Sequence, residues 1–200
     1  MNYEWYEPVQ YDAPVSQGDI ILKCRVPKIT DKEGPPYFKL AGNIRDVIVM
    51  TQACDLANNK TDLITLCPLM PLSYVVEGLM KKGLSGDSLE NFDYSKLTSK
   101  QIKSKNTIIT NLKSGFYLDF HVINEYKNEL KPLLTLNYQA VSLKETFTIP
   151  KKALEKQLLQ NRGERLTLLP PYREHLAQAY ARNFFRIGLP IDLNINSNSV

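Results

Sequence analysis

The amino-acid sequence predicts an α+β fold: a curved, mostly antiparallel sheet, an inserted helical segment, and a C-terminal amphipathic helix closing one side. Three observations carry this. Short apolar runs bounded by Gly, Pro and Asn recur through residues 19–70 and again through 115–150, and they read as strands. Between these blocks, residues 73–112 change to helical and lysine-rich character. Near the C-terminus, in "PYREHLAQAYARNFFRIGLP", Leu176, Tyr180 and Phe184 recur at i, i+4, i+8 beside Ala177, Ala181 and Phe185.

In chain order, residues 1–18 are a Tyr- and Pro-bearing lead-in whose aromatics are expected to pack on the body. "SQGDIILKCRV" opens the first strand, with its apolar run over 20–26. "PKITDKEGPPYFKLAGN" reads as a loop, because Pro27, Gly34, Pro35, Pro36 and Gly42 interrupt it. "RDVIVMTQ" and "DLITLCPL" are the second and third strands, with "LANNK" as a turn between them. Both are too continuously apolar for a half-exposed sheet and belong in its centre. Short helices are expected over 73–83 and 98–106. "GFYLDFHVI" alternates apolar and polar residues as a half-buried strand does, and "LLTLNYQAVSL" and "ETFTIP" are two more strands. A helix follows from 151, capped by Gly163; the last helix spans 170–188, and 194–200 is a polar tail.

The bulk numbers bound the function classes. Two hundred residues form one domain, 1–200, with a core large enough to need neither disulfides nor metals. A net charge of +4 is compatible with nucleic acid as a partner. Three cysteines without paired spacing (Cys24, Cys54 and Cys67) argue for reduced thiols rather than a disulfide framework. The N-terminus lacks the basic and apolar regions of a secretory leader, and no apolar run approaches the ~20 residues that cross a bilayer. The expectation is a soluble cytoplasmic protein that does not engage a membrane.

Several residues are candidates for chemistry. Cys54 and Asp55 leave the second strand side by side. A nucleophilic cysteine needs a nearby base or helix N-terminus, and the two histidines, His121 and His175, are the available bases. The competing reading makes Cys54 a small buried hydrophobe and Asp55 an Asx-turn residue. No ligand spacing suggests zinc, no glycine-rich phosphate loop occurs, and no cofactor is implied. From Tyr94 to Leu118 there are five lysines (Lys96, Lys100, Lys103, Lys105 and Lys113) and no acid, which would suit phosphates as well as a solvated helix. Arg182 and Arg186 share a stripe with Glu174 and Gln178; they could bind phosphate or form a network with a strand-end acid such as Asp55.

The first 70 residues resemble the opening of the MazF/PemK-like toxins. The likeness rests on "QGDIILKCRV", a Gly- and Pro-rich loop, Arg45 leading into "RDVIVMTQ", and "DLITLCPL" ending near Pro68. It implies a small SH3-like β-barrel, a homodimer, and metal-free cleavage of single-stranded RNA. Arg45 would stabilise the phosphorane and Thr51 would stand at the polar strand end. An antitoxin or another complex subunit would be the protein partner. Asp46 stands where the family usually has Pro, and Leu69 and Met70 follow Pro68 in place of a hydroxyl residue. Three functions follow as expectations. The first is a nucleic-acid-binding protein, in its fullest form a toxin-type endoribonuclease of a bacterial or phage conflict system. The second is a non-catalytic interaction or ligand-sensing subunit of a defence or regulatory complex. The third is a Cys54-dependent enzyme.

Overall fold

The computed structural model describes residues 4–84, 86–90, 92–129, 134–161 and 164–184. In chain order the elements are β1 (Tyr6–Val9), β2 (Asp19–Asp31), β3 (Phe38–Val49), α1 (Ala53–Ala57), β4 (Leu63–Pro71), α2 (Leu72–Lys81), α3 (Asp87–Glu90), α4 (Ser99–Lys113), β5 (Phe120–Ile123), β6 (Gln139–Ser142), β7 (Phe147–Pro150), α5 (Lys151–Asn161), β8 (Arg165–Leu168) and α6 (Tyr172–Phe184). All strand pairings among them are antiparallel, in the order β1-β8-β2-β3-β4-β6-β5, and β7 also pairs with β4. The fold is therefore α+β with a mostly antiparallel sheet, as expected. The expected SH3-like barrel is not seen: among the described residues the sheet does not close on itself, since β1 and β5 stand at opposite ends of the order.

The continuous apolar runs are central because both faces of the sheet are covered. Successive residues of β3 alternate between two cores: Val47 and Val49 enter one with Ile21, Leu66, Leu154 and Leu158, while Ile48 and Met50 enter the other with Cys67, Leu168 and Leu176. Helix α5 covers the first face and α6 the second. A third cluster joins α2 and α4 to β6 through Val75, Val76, Ile108, Leu112 and Ala140. The insertion thus packs on the sheet. Its long helix runs to Lys113, well past residue 106, and opens with a Thr98–Gln101 capping box.

The lead-in packs on the body and contains β1. Trp5 stacks on Tyr172 with ring centroids 3.7 Å apart, and the Tyr6 hydroxyl donates to the Asn124 carbonyl at 2.6 Å. It is tied down by Arg165, a buried residue of a strand that pattern reading does not anticipate. Arg165 Nε donates to Asp19 Oδ2 at 2.7 Å, and its other nitrogens donate to the carbonyls of Gln10, Ala13 and Pro14 at 2.8–2.9 Å.

The largest departure from expectation lies at 27–43. This stretch is the outer half of a β2–β3 hairpin, regular from Cys24↔Arg45 to Asp31↔Phe38. Pro27 faces Gly42 within it, so residues that usually break strands sit inside the ladder. They are tolerated because the ribbon leaves the sheet: β8 accompanies β2 only at Asp19 and Ile20, and β4 accompanies β3 only at Val47–Val49. Among the described residues no strand pairs with either outer edge there, and an edge strand can spare a donor. At the ribbon's root, β2 bulges between Ile21 and Cys24, and Lys23 takes a positive φ of 54°. Its N–H donates to Asp46 Oδ1 at 2.8 Å, and the Gln157 amide of α5 brackets Arg25, accepting from its N–H at 2.8 Å and donating to its carbonyl at 3.0 Å.

Smaller corrections follow the same logic. Among the described residues, only 120–123 of "GFYLDFHVI" and 139–142 of "LLTLNYQAVSL" are strand, with Leu136 adding an isolated bridge to Tyr126. Helix α6 is described to Phe184; that side chain is 62% exposed rather than core, edge-on to Tyr180. Gly163, Phe185, Arg186, the rest of the helix expected to 188, and the tail 194–200 lie outside the described residues.

Candidate functional site

Two regions collect the residues singled out by sequence. The first is a cleft of about 660 Å³ between the exit of β3 and α6. Its polar lining includes Gln17, Thr51, Gln52, Cys54, Asp55 and Tyr180. After Val49 the chain leaves the ladder through two bonds: Met50 N–H to the Thr65 carbonyl at 2.9 Å, and Thr65 N–H to Thr51 Oγ1 at 2.7 Å. The Thr51 hydroxyl thus serves the backbone as an acceptor and keeps its proton for the cleft. Cys54 and Asp55 then begin the five-residue α1 rather than a turn. Lys151 holds the far end of α1 from α5, donating to Asn59 Oδ1 at 2.7 Å and to the Leu56 carbonyl at 3.5 Å.

Cys54 is exposed, so the small-buried-hydrophobe reading fails for it. Its Sγ lies 3.6 Å from Gln52 Oε1 and 3.8 Å from Asp55 Oδ1, two acceptors for one thiol proton. Neither histidine lines the cleft. His121, on β5 opposite Val141, is pushed down to about 4 by burial and then by the charge of His175. Cys24 and Cys67 are buried, and burial raises their thiols to about 11 and about 12. Burial, with a smaller contribution from Cys67, also raises the Tyr180 hydroxyl. Among the described residues, no ion pair joins Asp55 to Arg182, which is exposed on α6, and no cluster of three His, Cys, Asp or Glu side chains is placed to hold a metal ion.

Arg45 is elsewhere, on the exposed ribbon. Six residue steps of nearly extended chain lead from it to Thr51, on the order of 20 Å at a strand's rise. The structure brings Thr51, Cys54 and Asp55 together and leaves Arg45 apart. The ladder gives Arg45 different neighbours. Paired residues share a face, so Cys24/Arg45, Val26/Asn43, Lys28/Ala41 and Thr30/Lys39 form one side of the ribbon. On that side Cys24 and Val26 are buried at the root, but their partners Arg45 and Asn43 reach the surface, and Lys28, Thr30 and Lys39 follow farther out, with no acid among them. Sequence reading missed Lys28 and Lys39 because they stood in the supposed loop. The signal was the alternation in "KITD" and "FKLA", hidden by nearby Gly and Pro.

The lysines of the insertion do not form one patch. Lys105 sits over the Tyr94 ring at 4.8 Å, and Lys113 borders an apolar groove with Trp5, Ile109 and Tyr138. Lys100 and Lys103 share the start of α4, with Lys103 beside a shallow polar hollow at Asn106 and Thr107, and Lys96 precedes the helix. No helix among the described residues is long and apolar enough to cross a membrane. A scan against protein-family models and a search of curated proteins both return no match to this chain.

Proposed function

We propose that this protein binds nucleic acid through the basic face of the β2–β3 ribbon, contacting phosphates with Lys28, Lys39 and Arg45. The observation that carries it is the segregation of charge: three exposed cations and no acid share one side of a two-stranded ribbon, whose other residues on that side are buried only at Cys24 and Val26 or are small or polar. Such a ribbon is narrow enough to enter a duplex major groove. The side chains on this face are long donors without aromatic rings. They suit phosphate contact more than base stacking, so affinity should depend strongly on salt and weakly on sequence. The likeness to the MazF/PemK-like toxins agrees in giving Arg45 to RNA, and an SH3-like ancestry for the β2–β4 region remains part of this proposal. Toxin-type cleavage finds less support, because Arg45 and Thr51 do not converge on one phosphate.

The test is fluorescence anisotropy with a labelled DNA duplex and a single-stranded RNA, titrated across salt. Changing Lys28, Lys39 and Arg45 together to Ala should lower the slope of log K against log salt by about 2–3, at ~0.7–0.9 per phosphate contact. Changing Lys100 and Lys103 instead should leave most of the slope in place. Binding that ignores the ribbon triple variant refutes the reading. RNA incubated in EDTA, with and without Arg45→Ala, tests cleavage separately.

A second reading, a ligand-sensing subunit, is favoured by the cleft. Its lining offers many hydrogen-bonding groups and a single carboxylate, Asp55, and so fits an uncharged or cationic polar small molecule better than a phosphate. Native mass spectrometry of the purified protein tests it. A bound small molecule present in the wild type and absent from a Tyr180→Trp variant supports the reading, whereas identical spectra oppose it.

A further inference from the structure

The other side of the same ribbon is apolar, and nothing among the described residues covers it. The pairs Arg25/Ile44, Pro27/Gly42, Ile29/Leu40 and Asp31/Phe38 share that face. Ile29 is 68%, Leu40 65%, Ile44 60% and Phe38 49% exposed. Four large apolar side chains on one strip are more than a surface scattering of single hydrophobes and mark an interaction site. We propose that this face is the contact surface of a homodimer, in which a second copy packs its own ribbon antiparallel across it.

The choice of a second copy rests on self-complementarity. A twofold axis through the centre of the face and perpendicular to the strands lays β2 over the partner's β2, with the directions reversed. The first row of the face then meets the last row of the other copy, and the second row meets the third. Arg25 comes opposite the partner's Asp31 at both ends, giving two ion pairs at the rim. Leu40 comes opposite the partner's Gly42, which has no side chain and open space above it, so a large side chain meets the smallest residue of the face. Ile44 comes opposite the partner's Phe38, and Pro27 opposite the partner's Ile29. The alternative twofold axis, along the strands, sets Arg25 against Ile44 and Asp31 against Phe38, which desolvates four charges without pairing them. The antiparallel arrangement is therefore strongly preferred, and its symmetry makes the contact isologous and closed.

The face is about 20 Å long at a strand's rise and two strands wide, and it offers on the order of 500 Å² per copy. The total of about 1,000 Å² falls at the low end of specific interfaces, the range of weak and reversible association. The two basic faces would point outward from such a dimer. The inference does not depend on the nucleic-acid reading, and its test contains no nucleic acid.

Sedimentation velocity from about 1 to about 500 µM should show a monomer–dimer equilibrium in that range. Arg25→Asp alone and Asp31→Arg alone should each weaken the dimer about tenfold or more, because like charges then meet across the rim. The double variant, Arg25→Asp with Asp31→Arg, should restore it to within about threefold of wild type. Gly42→Leu adds apolar surface but fills the open space opposite Leu40; it should weaken the dimer, whereas nonspecific stickiness would strengthen it. Circular dichroism confirms folding of each variant. A wild type that stays monomeric at every concentration, or a double reversal that fails to rescue, overturns the proposal. The first result would assign the face to another occupant, such as this chain's own residues 185–200 or a different protein.

Discussion

Truncating Arg165 to Ala should cost about 3–5 kcal/mol, the range for breaking a buried ion pair from one side. The structure shows where that cost arises. Arg165 is 2% exposed and Asp19 1%, and their oxygen and nitrogen lie 2.7 Å apart. Asp19 would keep one local partner, the Ser16 N–H at 3.0 Å, and would otherwise be a buried carboxylate without its cation. The three carbonyls that Arg165 also serves belong to Gln10, Ala13 and Pro14, in a largely exposed part of the lead-in. Water can replace the guanidinium there, so they add little to the cost. For a domain of this size each kcal/mol lowers Tm by about 2–4 °C, which puts the expected fall at about 6–20 °C. Urea and thermal denaturation followed by circular dichroism measure it. Adding Asp19→Asn to Arg165→Ala should recover about 1–2 kcal/mol, because the residual group no longer carries a buried charge. A loss below about 1 kcal/mol for Arg165→Ala, or simple additivity in the double variant, would show that the pair does not hold the lead-in to the sheet.

His121 supplies a pH dependence. Its folded pKa, about 4 through burial and the nearby His175, lies below the ordinary value of 6.5, so the unfolded chain binds the extra proton first. Stability should therefore be full above pH 6.5 and fall by about 2–3 kcal/mol as the pH drops to 4, and His121→Gln should flatten that part of the urea-midpoint profile. Iodoacetamide should label Cys54 in the folded protein well before Cys24 and Cys67, which are both buried and raised. Exposure alone accounts for that order. Enzyme chemistry at Cys54 would require more: a labelling rate well above that of a free thiol, falling on Asp55→Asn.

The central sheet was legible because both of its faces are covered, which turns strand alternation into mostly apolar runs at Val47–Met50 and Ile64–Leu69. The helices that cover those faces were legible in part, from the spacing of Leu154 with Leu158 and of Leu176 with Tyr180. Strand β8 was not, because "RLTL" is too short to show a period and its Arg, normally a surface signal, is buried by a partner 146 residues away. The resemblance to the toxin family directed attention to the two ends of one strand, Arg45 and Asp55. The structure divides them between two sites with opposite chemistry: a basic ribbon, and a neutral-to-acidic cleft.

The ribbon shows why the loop reading failed. Period-two alternation was present from Lys28 to Asp31 and from Phe38 to Ala41, but the usual inference from alternation assigns the apolar face to a core. Here the chain has left its core, and the apolar face points outward. An isolated two-stranded ribbon is at best marginally stable in water. Anchors at its root, the Asp46 cap on Lys23 and the Gln157 bracket on Arg25, order the first rows. They do nothing for Ile29, Leu40 or Phe38 farther out. An extension with open edges and four exposed apolar side chains is also an aggregation hazard for a monomer. Lys28 and Lys39 on the opposite face blunt its edges with charge, but only burial removes the apolar liability. The same contact that would hide Leu40 against Gly42 would also brace the strands carrying Arg45, Lys28 and Lys39. Dimerisation and presentation of the basic face would then be linked, and Leu40→Lys should weaken nucleic-acid binding at low protein concentration even though it adds a positive charge to the ribbon.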